Sequence, residues 1–250
     1  MALPHDLCVD LAVAEIHRLA EVTDGIEPTA PIATCGDWTM ADLLVHVGEI
    51  HRWAARLVTE LSPSRIARGE VDWGVPPDPV GLPAWIDAGV PVVRDAFLDA
   101  DPSAEMWAWG VPKTAGFWPR RMVHETGVHR ADAELAIGET PEFNPHVAAD
   151  GIDELLDNLP PAAYFSPGVQ ELVGDGEVLA LVATDLDEGW RIELLPEGFT
   201  WIRTPGEPSG ADAVVSLPAG DLLLALYGRV PSEAAGSQAL WSFWLEKATI

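Results

Sequence analysis

The stretch TCGDWTMADLLVHVGEIHRW, residues 34–53, decides how the chain is read. Thr39 and Asp42 stand three apart just before an apolar run. That is the pattern of a capping box, in which two side chains satisfy backbone N–H groups at a helix start. From there Leu43, Val47, Ile50, Ala54 and Leu57 recur on one face at helical period. The spacing predicts a long amphipathic helix. His46 projects beside Leu43, Val47 and Ile50, so an imidazole points into whatever that helix packs against.

Working outward, three more long helical stretches are expected before residue 140. They run from about Asp6 to Glu21, from Pro83 to Leu98 with a kink or split at Pro91, and from Phe117 to Ile137. The last has Pro119 in its first turn and a stop at Gly138. The connections between them, 62–83 and 102–116, are broken by Pro and Gly. Four such helices predict a bundle with long crossovers. A shorter helix, His146 to Leu159, ends at Pro160 and Pro161. Composition then changes to short alternating strands within 176–185, 189–194, 199–203 and 212–217. Helices from Ala219 to Tyr227 and Gln238 to Lys247 follow. The expected fold class is therefore α plus α/β: a four-helix bundle over residues 1–160, then a small α/β domain over 165–250.

The charge narrows the function. Lys and Arg number 14 against 40 Asp and Glu, a formal charge of -26, and the only lysines are Lys113 and Lys247. A polyanion partner needs a basic stripe, so nucleic acid is excluded, and an anionic membrane surface would repel the chain. With 48 % apolar residues and 11 Trp it is no disordered acidic tail. No apolar run approaches the roughly 20 residues that span a bilayer. The first residues carry acids where a signal peptide has a basic region, so a cytoplasmic location is expected. Two cysteines, Cys8 and Cys35, are too few for a disulfide framework. Cys8 reads as packed in a helix and Cys35 as part of a turn.

The chemistry lies in the helix histidines. His129 follows Glu125 by four residues, so both side chains share one side of a helix with Met122, Ala133 and Ala136. An unpaired carboxylate on so apolar a stripe would cost several kcal/mol. A divalent cation held by His46, Glu125 and His129 is one sufficient partner. Two imidazoles and a carboxylate make an ordinary catalytic zinc shell with a fourth position open. Asp132 or Glu49 is placed to support the imidazoles from behind. The plainer alternatives remain open at this level: a packed core His46, a helix-stabilising Glu125–His129 pair, or Glu125 paired with Arg121 one turn back. Gly48 and Gly127 inside helices permit close packing or leave room for a ligand. Trp73, Trp107 and Trp109 in the connections either line a pocket or pack.

Three segments together resemble a known family. TCGDWTMADLLVHVGEIHRW, the later WPRRMVHETGVHRADAE (118–134) and the tail DLLLALYGR (221–229) are similar, in order, to the mycothiol-dependent maleylpyruvate isomerase family of DinB-like metal-binding helix bundles. The resemblance implies metal ligands His46, Glu125 and His129, and a functional arginine at Arg229. The plainer reading of Arg229 is a cap on the helix that ends at Gly228. Related sequences commonly read Cys-Pro-Gly-Trp where this one has Cys35-Gly36-Asp37-Trp38. The motif is read as shaping the turn before the second helix, with Trp38 as a packing anchor and Cys35 given no catalytic role.

The resemblance further implies a metal-dependent, mycothiol-dependent isomerase or thiol transferase acting on a small electrophilic, carboxylate-bearing substrate. Zinc is the expected cation and mycothiol the thiol cosubstrate, with Arg229, Arg121 or Arg120 neutralising the substrate carboxylate. Two rivals stand beside it: a metal hydrolase using bound water, and a non-catalytic, metal-stabilised binding module. The last needs one more ligand to close the shell, for which His51 and His124 are candidates.

Overall fold

A computed structural model describes residues 2–250, apart from the side chain of Glu70. The chain forms two compact units, Leu3–Glu142 and Phe143–Ile250. No helix among the described residues is long and apolar enough to cross a membrane.

The first unit is helical. Its helices are α1 (His5–Thr23), α2 (Met40–Thr59), α3 (Leu82–Ala88), α4 (Val90–Asp99) and α5 (Phe117–Ala136). The expected third helix is indeed split, with Gly89 between the halves and Pro91 in the first turn of α4. Pro91 has no N–H to continue α3 but suits a new helix start. Around the bundle α1 packs on α5 and on α3–α4, and α2 packs on α3–α4 and on α5.

Both halves of the capping box on α2 are present. The Asp42 N–H donates to Thr39 Oγ1 at 3.3 Å, and the Thr39 N–H donates to Asp42 Oδ2 at 2.9 Å. Leu43, Val47, Ala54 and Leu57 are buried, as their period requires. Gly48 is there for packing: a Cβ on it would meet the Trp85 ring of α3 at 2.1 Å. The Arg52 guanidinium covers that ring at 4.0 Å from its centroid and donates to the Trp85 carbonyl at 2.6 Å.

α5 breaks the amphipathic rule. Arg121, Arg130, Asp132 and Glu134 are buried on it alongside Met122, Val123 and Val128. Buried charges survive only when paired. Arg130, which is 0 % exposed, donates from Nε to Glu15 of α1 at 2.5 Å, from a terminal nitrogen to Glu134, and from the other to the Glu142 carbonyl at 3.2 Å. Arg18 adds a contact to Glu134 at 3.5 Å. This network clamps α1 to α5. Trp107 from the second crossover packs edge-on against Trp53 of α2 at 5.7 Å and lies 6.0 Å from Trp118 of α5, so its role is packing.

The second unit contains α6 (Pro145–Ala162), β1 (Val178–Ala183), β2 (Glu188–Leu195), β3 (Gly198–Thr204), β4 (Ala213–Leu217), α7 (Ala219–Leu226), β5 (Ala235–Gly236) and α8 (Gln238–Lys247). The sheet order is β3-β2-β1-β4-β5. β1 and β4 run parallel and the other neighbours antiparallel. Leu179 pairs with Ile192 and Ala213, and Leu181 with Trp190 and Val215. These residues share one core with α7 and with Trp241 and Trp244 of α8.

The expected boundary near 160–165 is therefore displaced. α6 belongs with the sheet, because Ile152, Leu155, Leu156 and Leu159 lie in that same core. Asp153 of α6 adds a polar tie, accepting from Trp190 Nε1 at 2.6 Å and from Arg203 at 2.7 Å. An amphipathic period says that a helix buries one face; it does not say against which neighbour.

Candidate metal centre

Two elements supply the site, and a turn closes it. The capping box starts α2, which places His46 nearly two turns into the helix. α5 carries Glu125 and His129 four residues apart. His46 Nε2 lies 3.2 Å from Glu125 Oε1, and His129 Nε2 lies 3.6 Å from the same oxygen. The three ligand atoms fall within 4.8 Å of one another. Among the described residues neither His51 nor His124 joins this group.

Arg121 and the imidazoles are not rivals for Glu125, as spacing left open. The Arg121 guanidinium donates to Oε2 at 2.9 Å, while both imidazoles face Oε1. Burial alone would raise the Glu125 carboxyl. The hydrogen bonds of His129 and His46, together with the Arg121 charge, outweigh it and hold the carboxyl well below its ordinary range. His129 is the mirror case. Burial would lower its imidazole, but hydrogen bonding at Asp132, and then at Cys35 and Glu125, holds it well above its ordinary value. Asp132 Oδ2 sits 2.9 Å from His129 Nδ1, the supporting contact expected from sequence. Glu49 instead lines a neighbouring cleft.

This donor set fits a divalent cation. The residues are two imidazole nitrogens facing a common carboxylate oxygen, one imidazole backed by a buried carboxylate and the Glu125 carboxylate held through its other oxygen by an arginine. That is the composition of three-ligand catalytic zinc shells, and the supporting partners are of the kind that orient such ligands.

Trp38 proves to be more than an anchor for the turn. Its ring lies 4.8 Å from that of His46 and stacks on that of His129 at 6.0 Å, 26° from parallel. Sequence alone had no signal for this, since a Trp before a helix is ordinarily packing. A cleft of about 470 Å³ opens beside it, lined by Trp38, Asp42, His46, Glu49, Arg68 and Leu82 among others. The connection tryptophans Trp73, Trp107 and Trp109 do not line it.

His51, one of the candidate closing ligands, is buried on α2 with its Nε2 2.7 Å from Thr126 Oγ1. Burial pushes its imidazole down to about 3. The unfolded chain, with a His near 6.5, therefore holds one more proton between about pH 6.5 and 3. The stability tied to neutral His51 is present above that window and is lost as pH falls through it. Between pH 7.5 and 5 the loss is about 2 kcal/mol. Urea unfolding at the two pH values should show the wild type losing that much more stability than His51→Gln. Equal losses would mean that His51 does not carry this proton.

Arg229 lies in the second unit, just past α7. Its backbone N–H donates to the Leu224 carbonyl at 2.8 Å and the Gly228 N–H to Ala225 at 2.9 Å. Gly228 takes φ +69°, so this is a Schellman turn. The guanidinium donates to the Tyr227 carbonyl at 2.8 Å, as the capping reading requires.

Comparison with known proteins now adds to the geometry. Two family models match in chain order: the mycothiol maleylpyruvate isomerase N-terminal domain over residues 9–134 and the corresponding C-terminal domain over 146–242. They divide the chain where the structure does, with α6 in the second part. No curated protein matches. Two solved structures share the fold, a mycothiol-dependent maleylpyruvate isomerase and a histidine-to-alanine mutant of it. Each is 17 % identical with a TM-score of 0.60, and the match covers 93 % of both chains. With both domain models spanning nearly all of its length, the chain belongs to the mycothiol maleylpyruvate isomerase family.

Proposed function

We propose that this protein is a metal-dependent enzyme that uses mycothiol to isomerise, or to transfer sulfur to, a small electrophilic substrate bearing a carboxylate. The observation that carries this reading is the convergence of His46, Glu125 and His129 on a single point beside a cleft. Three protein ligands leave a coordination position for chemistry, whereas a purely structural site is closed by four. That favours a catalyst over the binding-module reading. Family membership favours a thiol over water as the nucleophile.

His46, Glu125 and His129 would hold the cation, with zinc preferred for this nitrogen and carboxylate set. A divalent cation supplies a Lewis-acid position that lowers a thiol pKa and keeps the sulfur nucleophilic at neutral pH. The protein's own groups do the rest. Arg121 holds Glu125 by Oε2 and leaves Oε1 for the ligand position. Asp132 accepts the His129 Nδ1–H, which turns the Nε2 lone pair inward. Trp38 lies against both rings and restricts their rotation. In the proposed isomerisation the thiol adds to the activated C=C, the C–C bond left single rotates, and the thiol leaves. Arg229 is assigned to the substrate carboxylate, a planar anion that guanidinium pairs well. The proposed setting is the cytoplasm, with no nucleic-acid or membrane partner.

The test measures metal content and turnover on one preparation, made without a metal-binding tag. About one divalent ion per chain, and turnover of an activated alkene acid that needs both the ion and mycothiol, is the expected result. Turnover that persists without thiol would transfer the assignment to the hydrolase. A folded protein that takes up no ion on reconstitution would remove the metal mechanism altogether.

A further inference from the structure

The site is backed by a side-chain cluster that its own ligands do not account for. Asp132, the carboxylate behind His129, is 0 % exposed. Its Oδ1 accepts from Thr34 Oγ1 at 2.6 Å, and its Oδ2 accepts from Cys35 Sγ at 3.2 Å as well as facing His129 Nδ1 at 2.9 Å. Thr34 and Cys35 come from the 3-10 turn Ala33–Cys35, 98 and 97 positions earlier in the chain. We propose that Thr34, through Asp132, and Cys35, through Asp132 and through its own contact with His129, are positioning residues for the metal ligand His129. This rests on the metal-site reading above.

A buried carboxylate must have its lone pairs filled, or it either protonates or swings away. Thr34 fills Oδ1 and Cys35 shares Oδ2, so the Asp132 rotamer is set from outside α5. Held there, the carboxylate accepts the Nδ1–H of His129, and the tautomer that aims a bare Nε2 at the cation is selected.

The turn is stiff enough for the task. The Ile32 N–H donates to Trp38 at 2.8 Å, the Cys35 N–H to Ile32 at 2.9 Å and the Met40 N–H to Ala30 at 2.8 Å. Pro31 and Thr39 form an antiparallel bridge across it. The same segment presents Trp38 to both imidazoles and ends in the capping box that starts α2. One short piece of chain thus sets His129 from behind, lays Trp38 against both rings, and launches the helix that carries His46. This also gives Cys35 a task that requires no nucleophilic chemistry: a donor to a carboxylate, suited to a residue that reaches the site from a turn.

The experiment is zinc affinity by chelator competition, with the cobalt(II) visible spectrum as a second readout, on the full-length protein. Thr34→Val keeps the shape and removes the donor, and Thr34→Ser restores the donor. Thr34→Val should weaken zinc about 10–100-fold, while Thr34→Ser stays within about threefold of wild type. Cys35→Ala should weaken it and Cys35→Ser should recover most of the loss. The cobalt band should change in Thr34→Val and return in Thr34→Ser, which a loss of general stability would not produce. In an Asp132→Asn background Thr34→Val should add little, since its route is already cut.

Thr34→Val binding zinc as tightly as wild type would overturn the proposal. So would a loss from Thr34→Val that persists in full beside Asp132→Asn. The Thr34 and Cys35 pairs decide the matter even if Asp132→Asn does not fold. A wild type that binds no zinc would overturn the metal reading as well. A wild type that binds zinc alongside indifferent variants would overturn this proposal alone.

Discussion

Glu125→Gln should purify with almost no bound divalent ion and with turnover at the detection limit, while remaining folded. Glutamine fills the same space and still offers an oxygen to Arg121, so the guanidinium keeps an acceptor. What disappears is the anionic ligand that faces both imidazoles. Loss of a residue that merely supports a ligand costs about 10–100-fold in metal affinity, and loss of the ligand itself should exceed that. Glu125→Ala should lose the ion too and also unfold more easily. It leaves Arg121, whose side chain is 4 % exposed, without this carboxylate. Metal analysis and urea unfolding on the two variants separate the effects. A Glu125→Gln protein that retains about one ion per chain would show that the cation does not depend on the Glu125 carboxylate.

The second large effect is on stability. Arg130→Met should destabilise the protein by about 3 kcal/mol, because it removes the buried cation shared by buried Glu134 and half-buried Glu15 and leaves them only the more exposed Arg18 at 3.5 Å. Glu134 is 7 % and Glu15 15 % exposed, so neither can recover full hydration. Methionine fills much of the arginine's volume, so little of the loss comes from a cavity. The control replaces the set: Arg130→Met with Glu134→Leu and Glu15→Leu should regain most of the loss, since no charge is then buried alone. Chemical unfolding measures both. A single variant within about 1 kcal/mol of wild type would mean that α1 and α5 are held by apolar contact and not by this network.

Much of this was legible in the residues. The capping box at Thr39 and Asp42, the helical period after it and the i,i+4 pair of Glu125 and His129 are local patterns, and each appeared where expected. The strands β1 to β4 and the last two helices did as well, because alternation and turn residues act over a few positions. Local readings failed where a partner had to be chosen. α6 was assigned to the bundle although its apolar face is buried against the sheet. α5 formed over the expected residues, but no local pattern showed that Arg130, Asp132 and Glu134 on it would be buried, since that depends on the elements packed around it.

By itself, then, the sequence determined the elements, their order, and that Glu125 and His129 share one side of a helix, because helix geometry converts spacing within one element directly into facing. Only the tertiary structure decided how these two meet His46. It put Arg121 on one oxygen of Glu125 and the imidazoles on the other, laid Trp38 against both rings, and brought Thr34 to Asp132 from 98 positions away. Contacts at such separation follow from the packing of whole elements against one another, and no periodicity within a single element encodes them.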